Sequence, residues 1–274
     1  MGFPATHDAD EVTSDSIIIE LADELWLADQ KAAPIQALTA RYPDLVIEDA
    51  YAIQSHNTER RIQMGALIIG RKVGLTSKPM QQLLGVDEPD YGVLFDDMVV
   101  EYGDTIALSS LVQPRVEAEM AFLMERDLVG PGVTTAKALA AIAGVLPSIE
   151  VVDSRVADWK IKLVDTVADN ALSGLFVMGG RLSKVTELDL PLVGVAVSRN
   201  GEIIDTGAGA AALGNPARCV AWLANKLATF GASLRAGDIV LPGAVHKMVD
   251  VAPGDVFRAD FAGIGSVTAR FSAS

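Results

Sequence analysis

Two glutamates, Glu117 and Glu119, stand one residue apart in the otherwise mostly apolar segment 116–124. On a strand, alternate side chains point to opposite faces, so both carboxylates would stand on one face, about 7 Å apart at a rise of about 3.4 Å per residue. Like charges at that distance repel each other, unless water surrounds them or a cation lies between them. The pair therefore predicts either a solvated strand face or a site for a positive ion.

A third glutamate, Glu150, interrupts the segment 145–152, which is typical of a strand that is apolar on both faces. An ionised carboxylate buried there is costly without a partner. An ion pair with Arg115 or Arg155 would supply one partner, and a cation shared with the first two glutamates would supply another. Three carboxylates with no Cys or His nearby in sequence form an oxygen-rich set, which suits Mg²⁺ or Mn²⁺ better than Zn²⁺.

Lys72 and Asp90 are candidates for proton transfer. Lys72 lies in the apolar run 67–75, between two glycines and next to Arg71. If this run is a strand, one of these two basic side chains must point inward. A desolvated lysine can act as an acid, a base or a partner for an anionic oxygen, although a surface cation with a buried stem fits the same pattern. Asp90 belongs to the polar segment 86–92, which is bounded by Pro and Gly and predicts either a turn that presents the carboxylate to a cleft or an ordinary solvent turn.

Two other features of the sequence are not interpreted as catalytic. The segment 207–212 formally matches a dinucleotide-binding glycine pattern, but no surrounding βαβ unit is indicated, so its glycines are interpreted as packing or substrate-loop positions. His246 follows a Pro-Gly turn, and we expect it at the surface rather than in the cleft.

The elements that must position these side chains form an α+β pattern. Apolar periodicity predicts helices over 15–32 and 47–65, and further helices from Thr134 or Thr135 to Gly144 and from Asn215 to Phe230. Strands are predicted at 98–100, 116–124, 145–152, 174–178, 192–198, 238–241, 256–261 and 266–271. Because strands follow strands with few helices between them, we expect a helical N-terminal region over 1–66 and a catalytic domain with a curled mixed sheet over 67–274.

Composition limits the classes of function. The chain has 274 residues and a formal net charge of −14, without a compensating run of Lys or Arg, which argues against binding to nucleic acid or to anionic membranes. No stretch reaches the roughly 18 apolar residues of a membrane span. Cys219 is the single cysteine, so an internal disulfide is excluded. We expect a cytoplasmic protein that acts on a small molecule.

Several separated segments resemble one family. They are residues 70–77, 81–98, 113–119, 150–155, 164–170 and 263–267, in that order along the chain. Here the chain resembles the 2-hydroxypenta-2,4-dienoate (2-keto-4-pentenoate) hydratases of bacterial aromatic-compound catabolism, within the fumarylacetoacetate hydrolase superfamily. The resemblance runs from about residue 50 to residue 271.

The resemblance implies an α+β fold with helices at the N-terminus and a C-terminal mixed β-roll of the fumarylacetoacetate hydrolase type. It implies that Glu117, Glu119 and Glu150 bind Mg²⁺ or Mn²⁺, and that Lys72 and Asp90 are catalytic. It places four further residues at the substrate, namely Thr76, Asp169, Ser173 and Gly243.

The activity that the resemblance implies is the addition of water to a 2-hydroxydienoate. The metal would chelate the carboxylate and 2-oxygen, ketonisation would give an unsaturated 2-oxo acid, and water would add to give a 4-hydroxy-2-oxo acid. The family resemblance also implies that the chain forms a homo-oligomer. It further suggests that this oligomer can bind an aldolase or a decarboxylase of the same pathway.

Three alternatives remain open. The sister 4-oxalocrotonate (2-oxo-3-hexenedioate) decarboxylases share the motifs, but they carry an apolar residue where the hydratases and this chain carry Asp90. A hydratase of a longer or dicarboxylic dienoate is the second alternative, and a second substrate carboxylate would need only an extra Arg or Lys in the pocket. A non-catalytic ligand-binding protein would require that the three glutamates bind no metal.

Overall fold

The chain folds into helices followed by two mixed sheets in the computed structural model, which describes residues 13–273. The α-helices are α1 (Asp15–Gln30), α2 (Leu38–Arg41), α3 (Ile47–Gln63), α4 (Lys78–Leu84), α5 (Thr135–Ala141), α6 (Leu163–Ala168) and α7 (Pro216–Ala228). The strands are β1 (Ile68–Gly74), β2 (Asp90–Phe95), β3 (Val99–Val100), β4 (Thr105–Ile106), β5 (Pro114–Met124), β6 (Ile142–Asp153), β7 (Ser173–Met178), β8 (Gly194–Arg199), β9 (Glu202–Ala208), β10 (Ile239–Leu241), β11 (Val249–Asp250), β12 (Val256–Phe261) and β13 (Gly265–Phe271). Within residues 13–273, none of the helices is long and apolar enough to cross a membrane.

The larger sheet carries the candidate site. Its strand order is β2-β1-β10-β5-β6-β7-β3, and β11 pairs with β5 as an additional short strand. The long strands β5 and β6 pair antiparallel over almost their full length, whereas β1 and β10 pair parallel. The mixed pattern agrees with the predicted curled sheet and excludes a doubly wound array.

The smaller sheet has the order β4-β13-β12-β8-β9 and packs against one face of the larger sheet. Alternation along β5 places Val116, Met120 and Phe122 in the core shared by the two sheets, where Phe257 of β12 is also buried. The opposite face of β5 carries Glu117 and Glu119, as the alternation predicts.

The N-terminal helices pack directly on the β-sheet domain. The side-chain amide of Gln54 in α3 donates to the carbonyl oxygens of Tyr91 and Val167, both at 3.0 Å. Asp165 in α6 accepts hydrogen bonds from the backbone N–H of Thr39 at 3.0 Å and from its hydroxyl at 2.6 Å. The first part of the predicted N-terminal region, residues 1–12, lies outside the described residues. The division of the chain near residue 66 stays a prediction.

Asp165→Ala is expected to lower the free energy of unfolding by about 2–4 kcal/mol, because the carboxylate is fully buried and the substitution leaves the Thr39 hydroxyl and the Lys162 N–H without their acceptor. Urea denaturation measures the change. The matched control is Asp44→Ala, an exposed aspartate in the same region, which should change the free energy by less than about 0.5 kcal/mol. Equal stability of the two variants would contradict the anchoring role of Asp165.

Candidate active site

The pairing of β5 with β6 brings the three glutamates together. Glu117 lies directly opposite Glu150 in the register, and Glu119 follows two residues along β5, opposite Ser148. One carboxylate oxygen from each glutamate lies within 4.8 Å of the others. Directly opposed like charges destabilise a strand pair, so the register favours a partner of opposite charge at this point.

Burial of two of the three glutamates is incompatible with a solvated strand face, whereas Glu117 is half-buried. Glu119 and Glu150 are each 1% exposed. Glu119 Oε2 accepts the backbone N–H of Gly243 at 2.9 Å, whereas neither oxygen of Glu150 accepts a hydrogen bond from the described residues. The arginine partners considered for Glu150 are engaged elsewhere: Arg155 with Asp169, and Arg115 with Asp250. The cation nearest to Glu150 is Lys72, whose Nζ lies 3.3 Å from Oε1.

Burial shifts the pKa values of all three glutamates upward. Burial raises the pKa of Glu117 to about 7, although the charge of Lys72 opposes the shift. Burial, followed by the charges of Glu150 and Glu117, raises the pKa of Glu119 well above its ordinary value. Burial also raises the pKa of Glu150, against the opposing effect of Lys72.

These residues fit a hard divalent cation. The cluster offers only carboxylate oxygens, which Mg²⁺, Mn²⁺ and Ca²⁺ prefer, and within the described residues no Cys or His joins it. The two oxygens of Glu150, which accept no hydrogen bond from the described residues, are the ones that a cation would satisfy. A cation there would also reverse the repulsion between the three carboxylates.

The affinity of the cluster for Mg²⁺ is expected to fall as the pH is lowered from 8 to 6. Since the metal-free pKa values of Glu117 and Glu119 are raised, each proton released on binding should weaken the affinity by about tenfold per pH unit below the corresponding pKa. Calorimetry in two buffers of different ionisation enthalpy measures both the affinity and the number of protons released. An affinity that is independent of pH over this range, with no proton release, would contradict the prediction.

Lys72 extends from β1 toward the carboxylates. Its Nζ donates to the carbonyl oxygen of Ala171 at 2.9 Å, in addition to the contact with Glu150. Burial lowers the pKa of Lys72, but the surrounding carboxylates, led by Glu150, outweigh burial and raise it above its ordinary value. Lys72 is therefore a buried, charged and oriented ammonium group.

The carbonyl that holds Lys72 belongs to a strained turn. Asn170, Ala171 and Leu172 have φ values of 52°, 51° and 61°, in the left-handed region that non-glycine residues rarely adopt. The Asn170 side chain stabilises this turn by accepting the N–H of Val93 at 2.7 Å and donating to its carbonyl at 2.9 Å. The strain thus serves to direct the Ala171 carbonyl toward the ammonium group.

Asp90 begins β2, where it pairs with Gly74 of β1. A Cβ atom at Gly74 would lie 2.1 Å from Asp90 Oδ1, so the close approach of the carboxylate requires glycine. Asp90 is fully buried, and neither of its oxygens has a hydrogen-bond partner among the described residues. Burial raises the pKa of Asp90 to about 6, although Lys72 lowers it. A carboxyl group with this pKa can exchange a proton near neutral pH.

Lys72, Asp90 and Glu117 share one cavity of about 690 Å³. Thr76 and Gly243, two of the predicted substrate-binding residues, also line it. Further around its wall lie Trp159, Leu172, Ile204, Asp205, His246 and Met248. The glutamate cluster therefore meets, through Glu117, a largely apolar cavity that is also lined by the two candidates for proton transfer.

The other two predicted substrate-binding residues do not line this cavity; both line a second cavity of about 630 Å³. Asp169 is buried against Arg155, accepting its backbone N–H at 2.8 Å and its Nε–H at 2.6 Å. The hydroxyl of Ser173 donates to the carbonyl oxygen of Asn170 at 2.8 Å. Both residues flank the strained turn that holds Lys72. A direct contact between either of them and substrate stays a prediction.

Sequence reasoning missed two features. The left-handed turn at residues 170–172 gives no signal in a sequence, because Ala and Leu rarely adopt that conformation. His246, expected at the surface, has a side chain that is 0% exposed, and its Nε2 accepts the backbone N–H of Ala118 at 2.7 Å. The only available clue to His246 was its position beside the Pro-Gly turn that also contains Gly243.

The comparisons with known proteins agree on one family. The family described as Fumarylacetoacetate (FAA) hydrolase C-terminal matches residues 48–272. A protein of Paraburkholderia xenovorans named 2-keto-4-pentenoate hydratase is 51% identical over 93% of this chain and 95% of its own length. A protein of Comamonas testosteroni named 2-hydroxyhexa-2,4-dienoate hydratase is 43% identical over 94% of this chain and 99% of its own length.

A solved structure is similar over nearly the whole chain. It is the 4-oxalocrotonate decarboxylase of Pseudomonas putida G7, complexed with magnesium and adipate, which superposes with a TM-score of 0.92 at 38% identity. The match covers 95% of this chain and 99% of the decarboxylase. The matched residues, the mixed β-fold and the extent of these similarities together show that the chain belongs to the fumarylacetoacetate hydrolase family.

Proposed function

We propose that this chain is a hydro-lyase that adds water to 2-hydroxypenta-2,4-dienoate and yields 4-hydroxy-2-oxopentanoate, with Mg²⁺ or Mn²⁺ bound by Glu117, Glu119 and Glu150. The observation that carries the proposal is that Glu117, a member of the carboxylate cluster, lines one cavity together with Lys72 and Asp90. Relatives that are 43–51% identical over most of the chain are named as hydratases of this substrate or of its six-carbon homologue, which supports the same activity.

The reaction needs several proton movements in one place. Ketonisation removes the proton of the 2-hydroxyl group and places a proton on C5, and hydration then places a hydroxyl group on C4 and a proton on C3. A divalent cation at the cluster would supply Lewis acidity to the carboxylate and 2-oxygen of the substrate. The ammonium group of Lys72 would stabilise negative charge that develops on the 2-oxygen. Asp90, with its pKa of about 6, would carry protons to and from the carbon chain.

The product distinguishes a hydratase from a decarboxylase. With Mg²⁺ and freshly generated 2-hydroxypenta-2,4-dienoate, the protein should bleach the dienol absorbance and form 4-hydroxy-2-oxopentanoate. The similarity to a decarboxylase structure makes 2-oxo-3-hexenedioate the matched second substrate. Release of CO₂ from that diacid, without hydration of the dienoate, would contradict the proposal and favour the decarboxylase.

Asp90→Asn is expected to lower turnover by about 10²-fold to 10³-fold, because the amide cannot carry a proton, while the affinity for Mg²⁺ stays within about threefold of the wild-type value. Steady-state kinetics and calorimetry measure the two effects. The control is Asp97→Asn, an exposed aspartate after the same strand, for which both values should stay unchanged. Wild-type turnover of Asp90→Asn would remove Asp90 from the proton pathway.

We further propose that the chain assembles as a homo-oligomer. Large apolar side chains at Met64 and Leu67 are 70% and 64% exposed, and they lie close together in sequence between α3 and β1. Exposed apolar groups that adjoin one another favour burial against another subunit. Light scattering should give a multiple of the 28.8 kDa chain mass, and a monomeric mass at micromolar concentration would contradict this proposal.

A further inference from the structure

His246 connects the strand that carries the glutamates to the smaller sheet. Its Nε2 accepts the N–H of Ala118, the residue between Glu117 and Glu119, and the N–H of Val245 donates to the Ala118 carbonyl at 3.1 Å. Because Nε2 accepts, the proton of the neutral ring must be on Nδ1. Burial lowers the pKa of His246, which favours the neutral ring.

The Nδ1–H group of His246 faces a carboxylate on β9. Nδ1 is buried and has no hydrogen-bond partner among the described residues, and it lies 3.7 Å from Asp205 Oδ2. A buried donor without an acceptor is unfavourable, so a small movement of Asp205 toward the ring would be stabilising. The backbone keeps the two residues near each other, because a Cβ atom at Gly207 would lie 1.8 Å from the carbonyl oxygen of Val245.

The side chain of Asp205 is accessible to solvent, whereas the side chain of His246 is not. Its side chain is 36% exposed, and it lines the same cavity as Lys72, Asp90 and Glu117. Its Oδ1 accepts the backbone N–H of Thr206 at 2.8 Å, and its Oδ2 is the oxygen that lies 3.7 Å from the imidazole. The carboxylate of Asp205 is thus a hydrogen-bond acceptor that faces the Nδ1–H donor of His246 and lines the cavity that Glu117 also lines.

We propose that Asp205, positioned by His246, binds the hydroxyl group of a 4-hydroxy-2-oxo acid, and binds the corresponding water molecule before it is added. The inference rests on the proposed hydratase function. A 2-oxo acid that lies with its 2-oxygen at the glutamate cluster extends its C4 end away from the metal, and that end needs an acceptor for an O–H group. His246 is a positioning residue here, because it acts on the ligand through Asp205.

Calorimetry with the Mg²⁺-loaded protein tests the proposal by comparing 4-hydroxy-2-oxopentanoate with 2-oxopentanoate, which differ only in the 4-hydroxyl group. The wild-type protein should bind the hydroxylated acid about tenfold more tightly. Asp205→Ala should abolish this preference while leaving the affinities for Mg²⁺ and 2-oxopentanoate unchanged. Glu202→Ala, an exposed substitution on the same strand, is the matched control and should keep the full preference.

His246→Phe tests the positioning role, because phenylalanine fills the same space without the Nδ1–H donor. It should reduce the preference for the hydroxylated acid to less than about threefold. Full preference in His246→Phe, together with loss in Asp205→Ala, would remove His246 from the proposal.

Three outcomes would overturn the hydroxyl-binding role of Asp205. One is equal affinity of the wild-type protein for the two acids, and another is full preference in Asp205→Ala; both leave the proposed hydratase function standing. The third is failure of both acids to bind the Mg²⁺-loaded protein, which would count against the hydratase function as well. The binding of 2-oxopentanoate thus separates the failure of one proposal from the failure of the other.

Discussion

Glu150→Gln is expected to weaken Mg²⁺ binding by at least about 10²-fold and to abolish turnover at physiological concentrations of the metal. Among the described residues, neither oxygen of Glu150 accepts a hydrogen bond, and Lys72 is the one ion-pair partner that could hold the carboxylate in place for another purpose. Glutamine preserves the size of the side chain but removes its charge, and its neutral amide competes poorly for a hard cation. The substitution also leaves the buried ammonium group of Lys72 without its nearest carboxylate.

Calorimetric titration with Mg²⁺ measures the loss, and circular dichroism tests whether the variant is folded. Glu125→Gln is the matched control, because this glutamate is exposed just after β5 and undergoes the same change in charge. Its Mg²⁺ affinity should stay at the wild-type value. A folded Glu150→Gln protein with wild-type affinity would exclude Glu150 as a ligand.

Lys72→Met is expected to separate catalysis from metal binding. Turnover should fall by about 10²-fold to 10⁴-fold, because the site loses the ammonium group that faces the developing negative charge. Methionine retains the apolar stem, and it removes a positive charge that lies 3.3 Å from a proposed ligand of the cation. Mg²⁺ affinity should therefore stay equal to the wild-type value or increase, in contrast to the effect of Glu150→Gln.

Stopped-flow kinetics on the dienoate, with calorimetry on the same preparation, measures both quantities. Lys184→Met, at an exposed lysine far along the chain, controls for the change in net charge. Parallel losses of metal affinity and turnover in Lys72→Met would indicate that Lys72 supports the cluster rather than the chemistry.

The alternation of apolar residues along strands and the residues that begin and end helices predicted much of the fold. The helix predicted from Asn215 is α7, in which Pro216 occupies the first turn and the Asn215 side chain accepts the N–H of Ala217 at 2.9 Å. The strand predicted at 116–124 is the greater part of β5, because its apolar residues alternate with the two glutamates. In both cases a local rule and the tertiary packing favour the same structure.

The missed elements are those where packing overrides the local signal. The segment 86–92 was predicted as a turn, because it is polar and contains a proline and a glycine. Its last residues instead begin the strand β2 (Asp90–Phe95), which pairs antiparallel with β1. The helix predicted to end near Gly144 ends at Ala141, because β6 begins at Ile142 and pairs with β5. The strand β9 was not predicted, since its Ile203 and Ile204 are exposed at the sheet edge and do not alternate.

The residues of the candidate site also fall into two groups, those that the sequence identifies and those whose contacts depend on tertiary packing. Glu150 was identifiable because a carboxylate in an apolar strand needs a partner, and the register with Glu117 supplies the geometry that the sequence could not provide. Asp169 lies within a motif of the family resemblance, but its contact with Arg155 depends on how residues 153–173 return to the sheet. The orientation of His246 likewise depends on a backbone contact between distant segments, which composition and periodicity do not encode.

The central claim is that the three glutamates hold the cation at which the substrate binds. Its most direct test is anomalous diffraction from crystals of the protein grown with Mn²⁺ and 2-oxopentanoate. We expect one anomalous peak within coordination distance of oxygens from Glu117, Glu119 and Glu150, with the carboxylate and 2-oxygen of the acid completing the coordination. An acid bound in the cavity with no peak at the cluster, or with Mn²⁺ bound elsewhere, would contradict it.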